Sequence, residues 1–167
     1  MAPPLRILLA EDEPLNAMTL KSQLESLGHH VIGPAADGLE AVELAADHPV
    51  DLAILDIRMP RLSGLDAAGE IFRIRPIPII LLTGYSDPEF VDRATHLPVY
   101  HYLVKPALAE DLGPAIAVAC ARFEEWRRFN AESDRLRQKL EDRKIIDQAK
   151  GVLMEARRIS EHEAYRI

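Results

Sequence analysis

Cysteine is almost missing from this 167-residue chain: Cys120 stands alone, so no intrachain disulfide can form and the small disulfide-stapled folds are excluded. Cys120 follows the apolar run Ala115-Ile116-Ala117-Val118-Ala119, where a buried, inert thiol is expected rather than a nucleophile. Aromatic residues amount to 5%, and no apolar stretch approaches the ~20 residues that span a bilayer. Met1-Ala2-Pro3-Pro4 carries no basic region, and the apolar stretch behind it is too short for a signal peptide. The expectation is a soluble, cytoplasmic protein. The six histidines show no metal-ligand spacing. Neither Gly-x-x-x-x-Gly-Lys nor Gly-x-Gly-x-x-Gly occurs, which removes the nucleotide-binding phosphate loops.

What is present divides into two parts. The chain is 48% hydrophobic, as folded proteins are, with a formal charge of −7. That charge is unevenly spread: residues 1–120 hold 8 Lys and Arg against 17 Asp and Glu, and residues 121–167 hold 12 against 10. An acidic module followed by a slightly basic one is the simplest reading. In the first part, short runs rich in Ile, Leu and Val (Leu5–Ala10, His30–Ile32, Leu52–Leu55, Ile77–Leu82 and Val99–Val104) alternate with helical patterns. Such runs read as strands buried on both faces. The helical segments are Pro14–Leu27, stopped by Gly28; Leu39–Ala46, started at Asp37-Gly38; Leu65–Ile74, started at Ser63-Gly64; and Pro88–His96. Strict β-α alternation predicts an α/β fold, a doubly wound parallel sheet with helices on both faces.

In such a sheet ligands bind beyond the carboxyl ends of the strands, so the residues ending each strand carry the chemistry. The first strand ends in Glu11-Asp12-Glu13, the third in Asp56 and the fourth in Thr83-Gly84; Lys105-Pro106 follows the fifth. Crowded carboxylates need a cation between them, and hard oxygen ligands suit Mg²⁺. An Asp carboxylate there can attack phosphorus and form an acyl phosphate, with the metal and Lys105 neutralising phosphoryl oxygens and Thr83 hydrogen-bonding one of them. Taken singly, each residue has a plainer reading: a helix-start carboxylate, a turn residue, a surface lysine, a core tyrosine.

Together, Glu11-Asp12, Asp56 with Met59-Pro60 and Gly64, Thr83-Gly84 and Tyr102…Lys105-Pro106 resemble the motif set of response-regulator receiver domains. The resemblance implies a flavodoxin-like five-stranded sheet of order 2-1-3-4-5 and phosphorylation of Asp56 by a sensor histidine kinase. It further implies Mg²⁺ held by Glu11, Asp12, Asp56 and the Arg58 backbone carbonyl, Thr83 and Tyr102 as switch residues, Lys105 as the phosphate-binding ammonium, and a cis Lys105-Pro106 bond. One departure is His96-Leu97-Pro98-Val99, where the family usually has Gly-Ala ahead of the fifth strand.

Beyond Leu108 no strand signal occurs, and no proline follows Pro114. Trp126, Phe129, Ser133, Leu136 and Leu140 follow a 3,4,3,4 spacing, which fits either a two-heptad coiled-coil seam between two copies or one amphipathic helix packed on the body. Ser160 with Glu163 makes a capping box, so a new helix is expected there. Gly151 in a helical pattern suggests a close approach by another backbone or a ligand, or is simply tolerated. Arg143, Ile146, Gln148-Ala149-Lys150-Gly151, Leu153-Met154, Ser160 and Ala164-Tyr165 resemble the start of an ANTAR domain, the RNA-binding antitermination module. The domains read as a receiver over 1–122, a coiled-coil-like linker helix over 123–142, and a partial ANTAR domain over 143–167 with its third helix missing. The resemblance implies paired RNA hairpins as partner. Because RNA affinity rests on phosphate neutralisation, Arg143, Lys144 and Lys150 are the candidate contacts, and the seam makes a homodimer the expected assembly. The expected protein is a phosphorylation-switched regulator rather than an enzyme. The competing reading is a phospho-switched protein–protein adaptor that never touches nucleic acid.

Overall fold

The computed structural model describes residues 3–84 and 99–157. Five strands, β1 (Arg6–Ala10), β2 (His30–Ala35), β3 (Leu52–Asp56), β4 (Ile79–Thr83) and β5 (Val99–Val104), form one sheet in the order β2-β1-β3-β4-β5, every pairing parallel. Helices α1 (Pro14–Ser26), α2 (Gly38–Asp47) and α3 (Gly64–Ile74) connect the strands, and α4 (Ala109–Arg157) follows β5. This is the doubly wound parallel sheet that the alternation predicts, in the flavodoxin-like order that the family resemblance implies. The expected helix Pro88–His96 and the capping box at Ser160 lie outside the described residues.

Local chemistry sets the helix ends. Asp37 caps α2, its Oδ1 accepting the Glu40 backbone N–H at 3.0 Å. Ser63 caps α3 through the Asp66 N–H. Each such cap is worth about 1 kcal/mol. Gly28 ends α1 in the left-handed region at φ 88°, where a side chain is disfavoured.

Burial then follows the strand period of two. Leu8, Ala10, Leu55, Ile79 and Leu81 face one way and pack with Ala41 and Ala45 of α2 and Leu65, Ala68 and Ile71 of α3. Ile7, Leu9, Ile54, Ile80 and Leu82 face the other way and pack with Leu20 and Leu24 of α1 and Leu112, Ala115, Ile116 and Ala119 of α4. Every residue of β3 is buried, which explains why these central strands show no polar alternation. Burial of each Leu or Ile side chain among these contributes roughly 1.5–3 kcal/mol. Cys120 is half-buried at the edge of the second cluster, and burial pushes its thiol up.

The chain divides into two compact units at Glu124/Glu125. In the second unit Phe129, Leu136, Leu140, Ile145, Ile146 and Val152 are exposed. A Cβ added at Gly151 meets nothing within 4 Å, so the close approach that this glycine suggested has no counterpart among the described residues. No described helix is long and apolar enough to cross a membrane.

At the amino end of the sheet, Asp51 Oδ2 accepts the Arg6 backbone N–H at 2.8 Å and Arg6 Nε at 2.9 Å, and Oδ1 accepts Nη2 at 2.7 Å. The Arg6 guanidinium holds the Asp51 carboxyl below its ordinary value. A carboxyl depressed in the folded state stabilises at pH values above its unfolded pKa, and that contribution is lost as pH falls through the folded value. Asp51→Asn should therefore lower the melting temperature near pH 7, with the gap to wild type closing towards about pH 3. A gap that stays constant in thermal melts across this range would contradict the assignment.

Candidate functional site

The carboxyl ends of β1, β3 and β4 converge because the sheet is parallel and its central strands are in register. Ala10 pairs with Leu55, and Asp56 pairs with Leu82, so Glu11, Asp56 and Thr83 stand at neighbouring strand ends. Lys105 follows β5, its backbone N–H bonded to the Thr83 carbonyl at 2.8 Å. The Lys105-Pro106 peptide is cis, as the family resemblance implied, and Gly33-Pro34 is also cis.

Glu11 and Asp56 are nearly fully buried, at 2% and 5% exposure, while Asp12 is exposed. The Lys105 ammonium donates to Asp56 Oδ2 at 2.7 Å and lies 2.8 Å from Glu11 Oε2. The second contact is an ion pair without hydrogen-bond alignment, which leaves Glu11 Oε2 buried with no directed donor. Burial pushes both carboxyls above their ordinary values against the pull of Lys105. For Lys105 itself, burial acts downward, but Asp56 and Glu11 outweigh it and hold the ammonium above its usual range.

Oxygens of Glu11, Asp12 and Asp56 all lie within 4.8 Å of one another. Three carboxylates, two of them buried, one with an oxygen lacking a directed donor, form a donor set that fits a hard divalent cation. Arg58 is two residues past Asp56, and its backbone N–H donates to Asp56 Oδ1 at 3.3 Å. Thr83 is partly exposed, its hydroxyl donating to the Gly84 carbonyl at 3.0 Å. Tyr102 is half-buried against the core shared with α2 and α3, and burial raises its hydroxyl pKa. A cavity of about 290 Å³ opens beside Glu11 and Lys105, lined also by Asn16, Thr19 and Pro106.

Two features of the site escaped sequence reading. Asn16 on the cavity wall has no motif to mark it. Arg61, in the turn after Asp56, donates through Nε to Asp37 Oδ2 at 2.7 Å and again through Nη2. The Glu40 N–H, then Arg61, hold the Asp37 carboxyl below its ordinary value. From sequence, Asp37 reads only as a helix start.

In the second unit, residues along α4 are about 100° apart. Arg143 and Lys150 share one face with Arg128, Arg135 and Lys139, all within an arc of about 80°; Glu132 is set among them. Lys144 points about 100° away from Arg143. Arg128, Arg135, Lys139 and Arg143 are exposed.

The family model described as the response regulator receiver domain matches residues 7–117, and the ANTAR domain model matches residues 134–167. A transcriptional regulatory protein of Mycobacterium tuberculosis, PdtaR, is 44% identical over 165 residues, covering 99% of this chain and 80% of the relative. Among solved structures, the signal receiver domain of a modulated diguanylate cyclase from Desulfovibrio desulfuricans superposes with TM-score 0.68 at 36% identity, covering 73% of this chain and 98% of the other. The receiver domain of a sensor histidine kinase from Pseudomonas aeruginosa, with magnesium coordinated in its active-site cleft, gives TM-score 0.61 at 32% identity, covering 67% of this chain and 93% of the other.

The Lys105 contacts yield a prediction about stability. Lys105→Met leaves Glu11 and Asp56 buried without their ammonium, at a cost on the order of 1–3 kcal/mol at neutral pH, reduced from a fully buried pair by partial exposure. Both carboxyl pKa values then rise further, and stability is lost as pH increases through the folded values. Thermal melts of the variant should show higher stability near pH 5 than near pH 7, with millimolar Mg²⁺ restoring stability at pH 7. A variant as stable as wild type at pH 7 without Mg²⁺ would refute this account.

Proposed function

This chain belongs to the response regulator receiver family, with an ANTAR domain behind the receiver, and from that membership we propose that it accepts a phosphoryl group on Asp56 from a sensor histidine kinase. The switched output is RNA binding that lets transcription pass a terminator. The observation that carries the first half is the buried Asp56 carboxylate at the end of β3, 2.7 Å from the Lys105 ammonium and grouped with Glu11 and Asp12.

In this reading an Asp56 carboxylate oxygen attacks phosphorus, the Asp56 O–P bond forms, the N–P bond of the donor phosphohistidine breaks, and the imidazole nitrogen takes a proton. Lys105 moves its pairing from a carboxylate to a phosphoryl oxygen, so no charge is left bare during transfer. Glu11, Asp12, Asp56 and the Arg58 backbone carbonyl would hold Mg²⁺, which supplies neutralisation of phosphoryl charge when bound. Thr83 turns its hydroxyl to the phosphoryl group, and Tyr102 follows as the switch aromatic. The acceptor is the chain's own side chain, so the protein acts as a regulator, with at most slow hydrolysis of its own acyl phosphate.

The RNA half is supported by the ANTAR match together with the basic face of α4, where Arg128, Arg135, Lys139, Arg143 and Lys150 extend over about 33 Å of helix. Such a row suits a phosphate backbone. Lys144 points elsewhere, so Arg143 and Lys150 are the stronger contacts of the three expected. The adaptor reading draws on a different observation: Phe129, Leu136 and Leu140 are exposed on the arc next to the basic one, a surface suited to a second copy or another protein.

Acetyl phosphate with Mg²⁺ should add one phosphoryl group to wild type and none to Asp56→Asn, read by intact mass. Binding to a two-hairpin RNA overlapping a terminator should tighten after phosphorylation. Arg143→Gln with Lys150→Gln should then weaken it at least tenfold and flatten the salt dependence by about 0.7–0.9 per cation removed. If phosphorylated protein binds no structured RNA but self-associates in sedimentation, the adaptor reading takes its place.

A further inference from the structure

The turn after Asp56 is held at three points. It leaves β3 with the Arg58 N–H on Asp56 Oδ1. At its middle, Arg61 sits in the left-handed region at φ 63°, a conformation that residues with a Cβ seldom adopt unless their surroundings enforce it. The enforcing contact is the guanidinium on Asp37, made through both Nε and Nη2. Asp37 is itself buried and fixed at the start of α2 by the Glu40 N–H. Next to it, Gly38 has no room for a Cβ because of the Leu62 carbonyl, and Gly64 has none because of the Asp56 carbonyl. The Gly64 N–H closes the turn on the Ile57 carbonyl at 2.9 Å. α2 and the turn are thus pressed together at Leu62 and tied by one ion pair.

We propose that Arg61 and Asp37 form a positioning latch that fixes the turn behind Asp56, and so orients the Asp56 carboxylate and the Arg58 backbone for phosphoryl acceptance. Neither residue touches the reacting atoms. Their effect passes through the backbone of residues 58–61, where a small displacement moves the Arg58 N–H off Asp56 Oδ1. The latch rests on Asp56 being the phosphoacceptor.

The test uses the full chain and three variants. Asp37→Asn retains an oxygen for the α2 cap but removes the charge. Arg61→Gly retains the left-handed backbone but removes the guanidinium, and Arg61→Lys restores a cation without the planar fork. Rates of Asp56 phosphorylation by acetyl phosphate at saturating Mg²⁺, Mg²⁺ affinity by calorimetry, and melting temperatures are measured side by side. Asp37→Asn and Arg61→Gly should each slow phosphorylation about tenfold, within the range that ångström-scale misplacement costs, while staying folded at the assay temperature. The double variant should be no slower than the slower single one, because both remove the same contact, and Arg61→Lys should recover part of the rate. Wild-type rates in the folded single variants, or additive losses in the double variant, would overturn the latch while leaving Asp56 as acceptor. If wild type itself takes no phosphoryl group on Asp56, the acceptor reading and the latch fall together.

Discussion

The receiver's site depends on one ammonium placed between two buried carboxylates. Glu11 and Asp56 stand on adjacent strands because β1 and β3 are neighbours in a parallel sheet. Burial at those strand ends disfavours ionisation of either one. Lys105 contacts both at 2.7–2.8 Å and is the group that lets them ionise together. Its own position follows from the fifth strand, since the Lys105 N–H is bonded to the Thr83 carbonyl. Strand order, register and the electrostatics of the site are thus one constraint seen at three scales. The arrangement also leaves the site two positive charges short: three carboxylates face a single lysine. A divalent cation fits that deficit.

Much of this is legible in the sequence, because strands buried on both faces leave a plain signal. Leu52–Leu55 and Ile77–Leu82 read as continuous apolar runs, and the residues closing each run, Asp56 and Thr83, are where chemistry collects. Helix starts were legible for the same local reason: Asp37 and Ser63 cap their helices through side-chain oxygens. Strand ends were read less well. β2 continues to Ala35 rather than stopping at Ile32, and its Gly33-Pro34 step is a cis peptide that composition alone reads as a break. What sequence could not reveal was tertiary pairing between segments that carry no motif. Arg61 and Asp37 are 24 residues apart, and each has an adequate local reading, one as a loop cation and the other as a cap. Asn16 is invisible for the same reason, since only the packing of α1 beside Lys105 puts it on a cavity wall.

The tail shows how a net charge can mislead. Residues 121–167 are barely basic in sum, which argues weakly for nucleic acid. Projected on a helix, the cations separate: Arg128, Arg135, Lys139, Arg143 and Lys150 share an arc that Lys144 and Arg137 do not. The apolar residues Phe129, Leu136 and Leu140 occupy the neighbouring arc. A seam beside a basic row can serve self-association and phosphate contact at once, since neither use covers the other's side chains. The RNA and adaptor readings therefore compete over the output, not over the same residues.

The energetics of the proposed switch can be bounded from Thr83. Its hydroxyl donates to the Gly84 carbonyl, a neutral hydrogen bond with a net worth of about 0.5–1.5 kcal/mol. Reaching a phosphoryl oxygen on Asp56 would exchange that bond for a charge-assisted one worth about 1.5–3 kcal/mol. The difference is on the order of 1 kcal/mol, a several-fold shift in population rather than an all-or-none lock. Tyr102 must add its share. It is only half-buried against the core, so moving further inward gains apolar burial at roughly 25 cal/mol per Å², and its hydroxyl, already raised by burial, would enter uncharged. Two modest gains in the same direction produce a graded switch. A second event that itself favours the phosphorylated form, such as pairing of the exposed apolar seams or binding of RNA, would be required to make it decisive.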